Sequence, residues 1–191
     1  AESQAEVEFM LGHGREGRRL EDFLLARRLE RASLGLKGLR PLAHLMDLGV
    51  LDSRTMLVHG VQLLPSEVRG LAETGASLCV CPRSNLGLTG GLAPVQALLA
   101  AGVNLSLGTD SLASCPSLSL WEEMAALTNA LPGLAPEAVL TMATNGGATA
   151  LGLQAHFGRL APGLSGPLAF VPLARLEGRK ALAAAVAGAH A

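Results

Sequence analysis

The chain has 191 residues, enough for one domain with a core of its own. Hydrophobic residues make up 49% and charged residues only 16%, which excludes a disordered chain. A formal net charge of -1, aromatics at 3% and no Tyr at all leave neither the basic footprint nor the stacking platforms of a nucleic-acid binder.

The opening Ala1-Glu2-Ser3 runs straight into a helix approach, and it reads as the start of a fragment of a longer protein. Val7, Met10 and Leu11 give the stretch from Ala5 to Leu11 a helical apolar pattern, ended by Gly12. Gly14 to Gly17 reads as a basic turn and Leu20 to Leu29 as a further helix; the stretch up to Leu39 reads as a surface insertion. Leu42 to Leu48 follows Pro41 as a short helix that stops at Gly49.

A regular rhythm then begins. Apolar runs at Thr55 to His59, Ser77 to Cys81 and Val103 to Leu107 alternate with helical patterns at Pro65 to Thr74, Pro94 to Ala101 and Leu118 to Leu127. Apolar strands alternating with helices predict βα units around a parallel sheet, and the short spacing suits a barrel. After Pro136 the pattern changes to two small helices, Glu137 to Ala143 and Ala148 to Leu153. A Gly/Pro-rich stretch from Phe157 to Pro172 holds a candidate strand at Leu168 to Val171, and an Ala-rich helix covers Leu176 to Ala187. No apolar window has the length of a membrane span and no leader pattern opens the chain, so no membrane partner is expected.

Each of the three strands ends in polar groups: His59 after the first, Arg83, Ser84 and Asn85 after the second, Thr109, Asp110 and Ser111 after the third. In a barrel of parallel strands these ends share one mouth, and that mouth is the functional face. Each residue also has a plain structural role open to it. A strand-end His is commonly a hydrogen-bonded structural group, an Asp after Gly-Thr is often a helix cap, and Pro82 to Asn85 could form only a turn. His13, His44 and His156 read as structural, the five methionines (Met10, Met46, Met56, Met124, Met142) as core filler, and Trp121 and Phe157 as packing residues. Cys79 and Cys81 share a strand face at a spacing that an extended backbone holds apart, so no mutual disulfide is expected. Cys81 lacks an activating base in the sequence and reads as a pocket wall. With Cys115 the thiols number three, and a reducing cytoplasm is the expected location.

Five ordered motifs carry a specific resemblance. They are Glu2; Val58-His59-Gly60; Cys81-Pro82-Arg83-Ser84-Asn85 with Leu88; Leu107-Gly108-Thr109-Asp110-Ser111; and Ala143-Thr144-Asn145-Gly146-Gly147-Ala148 with Leu151-Gly152. In this order the chain resembles the amidohydrolase superfamily, in the branch of chlorohydrolase-like, S-adenosylhomocysteine and aminofutalosine deaminases. Cys81-Pro82-Arg83-Ser84-Asn85 together with Gly108-Thr109-Asp110-Ser111-Leu112-Ala113-Ser114 resembles the aminofutalosine deaminases most closely. The resemblance runs from Glu2 to about Val171. It implies an α/β fold: the C-terminal half of a (β/α)8 TIM barrel, from the end of strand 5 through strand 8, in residues 1–155. Residues 156–191 would be a C-terminal extension returning toward a small β-domain.

The resemblance also implies roles. Ala1-Glu2 matches the last two letters of a His-x-Ala-Glu motif, in which the Glu shuttles protons. His59 matches the sixth-strand His that orients substrate or hydrolytic water, and Asp110 the eighth-strand metal ligand. Arg83, Ser84, Asn85 and Ser111 match pocket positions that bind substrate. The cofactor implied is one divalent metal ion, zinc in first place and iron in second. The activity implied is hydrolytic deamination of a purine-like or nucleoside-like small molecule, such as aminofutalosine or an adenosine derivative. The alternatives are a chlorohydrolase or amide hydrolase on the same scaffold, and a non-catalytic half-barrel. A homo-oligomer is expected, and the N-terminal half of the barrel is required, since the first-strand His-x-His pair is absent from these residues. The chain also departs from the family's Gly-x-Leu-x-x-Gly-Lys-x-Ala-Asp pattern, since Gly158 to Gly163 is followed by Leu164, Ser165 and Gly166. The Cys79 and Cys81 spacing is not the Cys-x-x-Cys of cytidine-type zinc deaminases.

Overall fold

A computed structural model describes residues 1–169, 171 and 178–188. Helix α1 (Gln4–Leu11) starts at a reciprocal cap: the Ser3 hydroxyl accepts from the Glu6 amide, and the Glu6 carboxylate accepts from the Ser3 amide. Helix α2 (Arg15–Leu25) begins where the sequence pattern suggested only a turn. The cause lies in α1, whose Glu8 carboxylate accepts from the amides of Glu16 and Gly17 at 2.9 and 3.0 Å. Free first-turn amides and the positive helix end are thereby satisfied by a residue of another helix. A 3-10 turn at Arg31–Leu34 follows, and the Arg31 guanidinium donates back to the Phe9 and Met10 carbonyls at the end of α1. Helix α3 (Pro41–Asp47) carries Pro at its first position.

Three strands form one parallel sheet in the order β1 (Met56–Val58), β2 (Ser77–Val80), β3 (Leu105–Leu107). Val58 lies opposite Cys79, and Val80 opposite Leu107. Helix α4 (Pro65–Thr74) joins β1 to β2, and helices α5 (Pro82–Thr89) and α6 (Val95–Ala100) join β2 to β3. Helix α5 forms where the sequence left a simple turn from Pro82 to Asn85 open; Pro82 at the first helical position starts it directly at the strand end. Helix α7 (Leu120–Ala130) begins after Ser119, whose hydroxyl accepts from the Glu122 amide, two residues later than the apolar pattern suggested. Helices α8 (Pro136–Ala143) and α9 (Asn145–Ala150) follow, then α10 (Gly178–Val186). The expected strand over Leu168 to Val171 includes Phe170, which lies outside the described residues; Leu168, Ala169 and Val171 are not in a strand. The expected tail helix over Leu176 to Ala187 also begins outside the described residues.

Strand alternation divides the side chains between two covered faces. Leu78, Val80, Leu105 and Leu107 pack with Leu71, Leu98, Leu127, Val139 and Met142 of the surrounding helices. Val186 of α10 joins the same cluster. Ser77, Cys79 and Cys81 of the β2 run and Ser106 of β3 occupy the opposite face and are also buried. Each fully buried Leu of such a core contributes about 1.5–3 kcal/mol. Met124 and Met142 are core residues as expected, whereas Met46 and Met56 are exposed. Met56 is on β1, which among the described residues pairs on one side only. Among the described residues no helix is long and apolar enough to cross a membrane.

Helix α9 sits directly against β3. Asn104 donates through Nδ2 to the Gly146 carbonyl at 3.1 Å, and a Cβ on Gly146 would stand 2.1 Å from the Leu105 carbonyl oxygen. A Cβ on the adjacent Gly147 meets only the Met142 carbonyl at 3.8 Å, an ordinary contact. Gly146→Ala should therefore cost about 1–3 kcal/mol by forcing helix and strand apart. Gly147→Ala should be neutral or stabilise by up to about 1 kcal/mol. Urea-unfolding midpoints of the two variants check this; equal midpoints would refute the close packing of α9 on β3.

Candidate active site at the strand ends

The parallel register carries the chain past each strand end at the same level. The His59 amide donates to the Cys79 carbonyl and the Gly108 amide to the Val80 carbonyl, each at 2.9 Å, so the ladder extends one residue beyond β1 and β3. Two residues of this rim adopt the left-handed backbone region, His59 at φ 71° and Asp110 at φ 58°. For residues with a Cβ this conformation costs roughly 1–2 kcal/mol. It concentrates where a backbone is held to aim a functional side chain. Glu2 reaches the same rim from the N-terminal side of α1. It is anchored there because Gln62, in the loop after β1, donates through its amide to the Ala1 carbonyl and through its side chain to the Glu2 carbonyl.

Glu2, His59 and Asp110 each offer a ligand atom, and these atoms lie within 4.8 Å of one another. Asn85, fully buried in the first turn of α5, donates through Nδ2 to Glu2 Oε1 at 2.8 Å. The same nitrogen lies 2.9 Å from His59 Nδ1. The direct distance from Glu2 Oε1 to His59 Nδ1 is longer, 3.6 Å. Ser84, also fully buried, donates to Asp110 Oδ2 at 2.7 Å, and Ser114 donates to the same oxygen at 2.9 Å. The Ser84 hydroxyl above all holds the Asp110 carboxyl below its usual range; Ser114 and His59 act in the same direction and burial opposes them. Asp110 is therefore ionised at neutral pH and exposed at the mouth. Two carboxylates and one imidazole are a donor set that suits zinc, and an ionised, exposed Asp110 fits a metal-ligand role.

The side chains of the other two expected site residues, Arg83 and Ser111, hydrogen-bond to residues outside the triad. The Arg83 guanidinium is turned away from the triad, donating to Glu123 Oε1 at 2.7 Å, to the Ser117 hydroxyl and carbonyl, and to Glu122. The Arg83 amide also donates to Glu123 Oε2 at 2.9 Å. Arg83 thus ties α5 to α7. Ser111 stays within the turn after Asp110, its hydroxyl accepting from the Ala113 amide. Cys81 is buried beneath the rim; its hydrogen bond with Cys79 and its burial push its thiol up, which makes it a neutral wall and not a nucleophile. All three cysteines are free. Ser114 and Glu123 were not singled out from the sequence. Glu123 was legible in hindsight, since it adjoins Met124 and precedes Leu127 by one helical turn on the buried face of α7.

The sequence profile of the Amidohydrolase family matches residues 28–187. A 5-methylthioadenosine/S-adenosylhomocysteine deaminase of Halobacterium salinarum is 43% identical over 141 residues, covering 70% of this chain and 32% of the relative. The protein of the same name from Nitratidesulfovibrio vulgaris is 44% identical over 133 residues, covering 66% of this chain and 30% of the relative. The chain therefore spans about a third of the length of the curated relatives it matches. Among solved structures, an adenosine deaminase from Xanthomonas campestris with bound zinc superposes with TM-score 0.60 at 33% identity, over 75% of this chain and 37% of that one. An atrazine chlorohydrolase from Arthrobacter aurescens complexed with zinc gives TM-score 0.61 at 29% identity, over 68% of this chain and 30% of that one.

The tie between α5 and α7 generates a prediction about stability. Glu123 is wholly buried, so removing Arg83 leaves an uncompensated buried carboxylate. Arg83→Met should cost about 3–5 kcal/mol, and combining it with Glu123→Leu should recover most of that loss. Denaturant unfolding of the single and double variants measures both; a single variant as stable as the parent would contradict the buried pair.

Proposed function

Because the chain belongs to the amidohydrolase family, we propose that the complete protein is a metal-dependent hydrolytic deaminase of a purine-like or nucleoside-like small molecule. The observation that carries the reading is the convergence of Glu2, His59 and Asp110 within 4.8 Å at the strand ends. The names of the curated relatives support the substrate class. In this reading β1, β2 and β3 are strands 6, 7 and 8 of a (β/α)8 barrel, and Glu2 closes strand 5. The parallel order and the zinc-bound structural neighbours support that assignment. Residues 1–155 are the barrel half and 156–191 the extension; the N-terminal half of the barrel and a homo-oligomer complete the molecule. Three buried free thiols support a cytoplasmic setting.

Asp110 would hold the metal ion, zinc before iron, together with histidines from the rest of the barrel. When bound, the ion supplies the Lewis acidity that makes water nucleophilic at neutral pH. Ser84 and Ser114 hold the Asp110 carboxylate in place by hydrogen bonds to one of its oxygens. Glu2 takes a proton from the attacking water and delivers it to the ring nitrogen beside the amine-bearing carbon, then assists departure of ammonia. His59 donates a hydrogen bond to the attacking oxygen. The walls around this centre come from the first turn of α5, where Ser84 and Asn85 sit, and from the turn holding Ser111. Arg83 contributes from behind by fixing α5. The balance is one water consumed, one C–N bond replaced by C–O, and one ammonia released.

A second reading, hydrolysis of a chlorotriazine, is favoured by the likeness to the atrazine chlorohydrolase. Ammonia release from methylthioadenosine, S-adenosylhomocysteine, aminofutalosine, adenosine and guanine, against chloride release from a chlorotriazine, separates the two. Failure of the complete, metal-loaded protein on every compound would overturn both.

In that complete protein, Asp110→Ala should abolish turnover and metal retention together, as metal analysis of the purified variant reads. Glu2→Gln keeps size and hydrogen bonding but cannot shuttle a proton, so turnover should fall by at least about 100-fold with metal retained. His59→Asn should keep metal and weaken both binding and turnover. Near-parental deamination by metal-loaded Glu2→Gln would refute the role given to Glu2.

A further inference from the structure

We propose that Asn85 is a positioning residue that fixes which nitrogen of His59 carries the proton and keeps the Glu2 carboxylate one amide away from the ring. The inference rests on the reading of Glu2 and His59 as the working pair. The Glu2 carboxylate can only accept, so the Asn85 atom 2.8 Å away must be the donor, Nδ2, and not Oδ1. A primary amide nitrogen carries two hydrogens. One is directed to Glu2 Oε1, and the other has His59 Nδ1 at 2.9 Å. Nδ1 must then be the lone-pair nitrogen, since a hydrogen there would set N–H against N–H. The ring's proton is left on Nε2.

The alternative orientations are worse. Turning the Asn85 amide over places Oδ1 against a carboxylate oxygen. Turning the His59 ring over leaves an amide hydrogen without an acceptor in a side chain that is fully buried. An unmet buried donor costs about 1–3 kcal/mol. Among the described residues nothing donates to Asn85 Oδ1, so no competing bond pulls the amide the other way. The spacing shows what the amide prevents: Glu2 Oε1 and His59 Nδ1 stand 3.6 Å apart, each bonded to Asn85 instead of to the other. Without it, the Glu2 carboxylate 3.6 Å away is an acceptor open to a hydrogen on Nδ1.

Two consequences follow for the site. With Nδ1 engaged by Asn85 and Nε2 protonated, His59 has no lone pair left for a metal ion, so it leaves the candidate ligand set and acts as a donor. Glu2, taking one hydrogen bond from a neutral amide, stays available as a base. The Asn85 backbone anchors this arrangement: its amide donates to the Cys81 carbonyl at the end of the β2 run, and its carbonyl accepts from Thr89 in the last turn of α5.

The test is the ring itself. The complete, zinc-loaded protein is labelled with 15N-histidine, and long-range 1H–15N correlation spectra are recorded at one pH where the ring is neutral. His59 is assigned by the signals lost in His59→Gln. The parent should show His59 protonated on Nε2 with Nδ1 as acceptor; protonation on Nδ1 in the parent overturns the proposal without any variant of Asn85. Asn85→Leu, an apolar side chain of similar shape, should move the proton to Nδ1 facing Glu2. It should lower kcat by about 10–100-fold at unchanged zinc content. An unchanged ring pattern in Asn85→Leu overturns the proposal even if kcat falls. If no compound of the panel is deaminated, the functional reading fails while the ring spectrum still decides the role of Asn85. Active deamination with Nδ1 protonated removes Asn85 alone.

Discussion

The parallel register of β1, β2 and β3 is the constraint from which the rest of the site follows. Because Val58 pairs with Cys79 and Val80 with Leu107, the chain leaves each strand at one level and on one side of the sheet. His59, the first turn of α5 and the Gly108-Thr109-Asp110 turn are then neighbours with no further device needed to gather them. The three strands hold only three, four and three residues. They are positioned by the helices packed over Leu78, Val80, Leu105 and Leu107, and the core and the rim are therefore one problem: loosening the helical layer displaces the site.

The rim itself is held by hydrogen bonds that are short in sequence on one side and long on the other. Asn85 reaches back 83 positions to Glu2 and 26 to His59, and Ser84 reaches 26 forward to Asp110. The left-handed backbone at His59 and Asp110 is tolerated because both side chains end on these buried donors. Strain and hydrogen bonding here form one arrangement, with α5 as its hub.

The βα rhythm was legible because it depends on local patterns: apolar runs closed by Gly or Pro, and helices opened by Pro65 or closed by Gly75. Helix α4 falls where the pattern put it, residue for residue. The family resemblance, which the profile match over residues 28–187 shows, rested on motifs that sit at strand ends for the same local reason. What stayed hidden depends on distant partners. Helix α2 starts early because Glu8 of another helix caps it. The guanidinium of Arg83 lies in a motif that points to substrate, and only the fold reveals that Glu123, 40 positions on, claims it. Ser114 is one serine among several in its loop, and nothing in its neighbours distinguishes the hydroxyl that reaches Asp110.

The Arg83–Glu123 pair also bears on how this chain changes over generations. Neither partner can be lost first without stranding a buried charge or the donors that face it. Lys in place of Arg83 could not reproduce a planar fork that reaches Glu123 and both oxygens of Ser117. Replacing either position alone is therefore costlier than replacing the two together. The loop between Asp110 and α7 can drift in length and composition only within the span that this clasp permits.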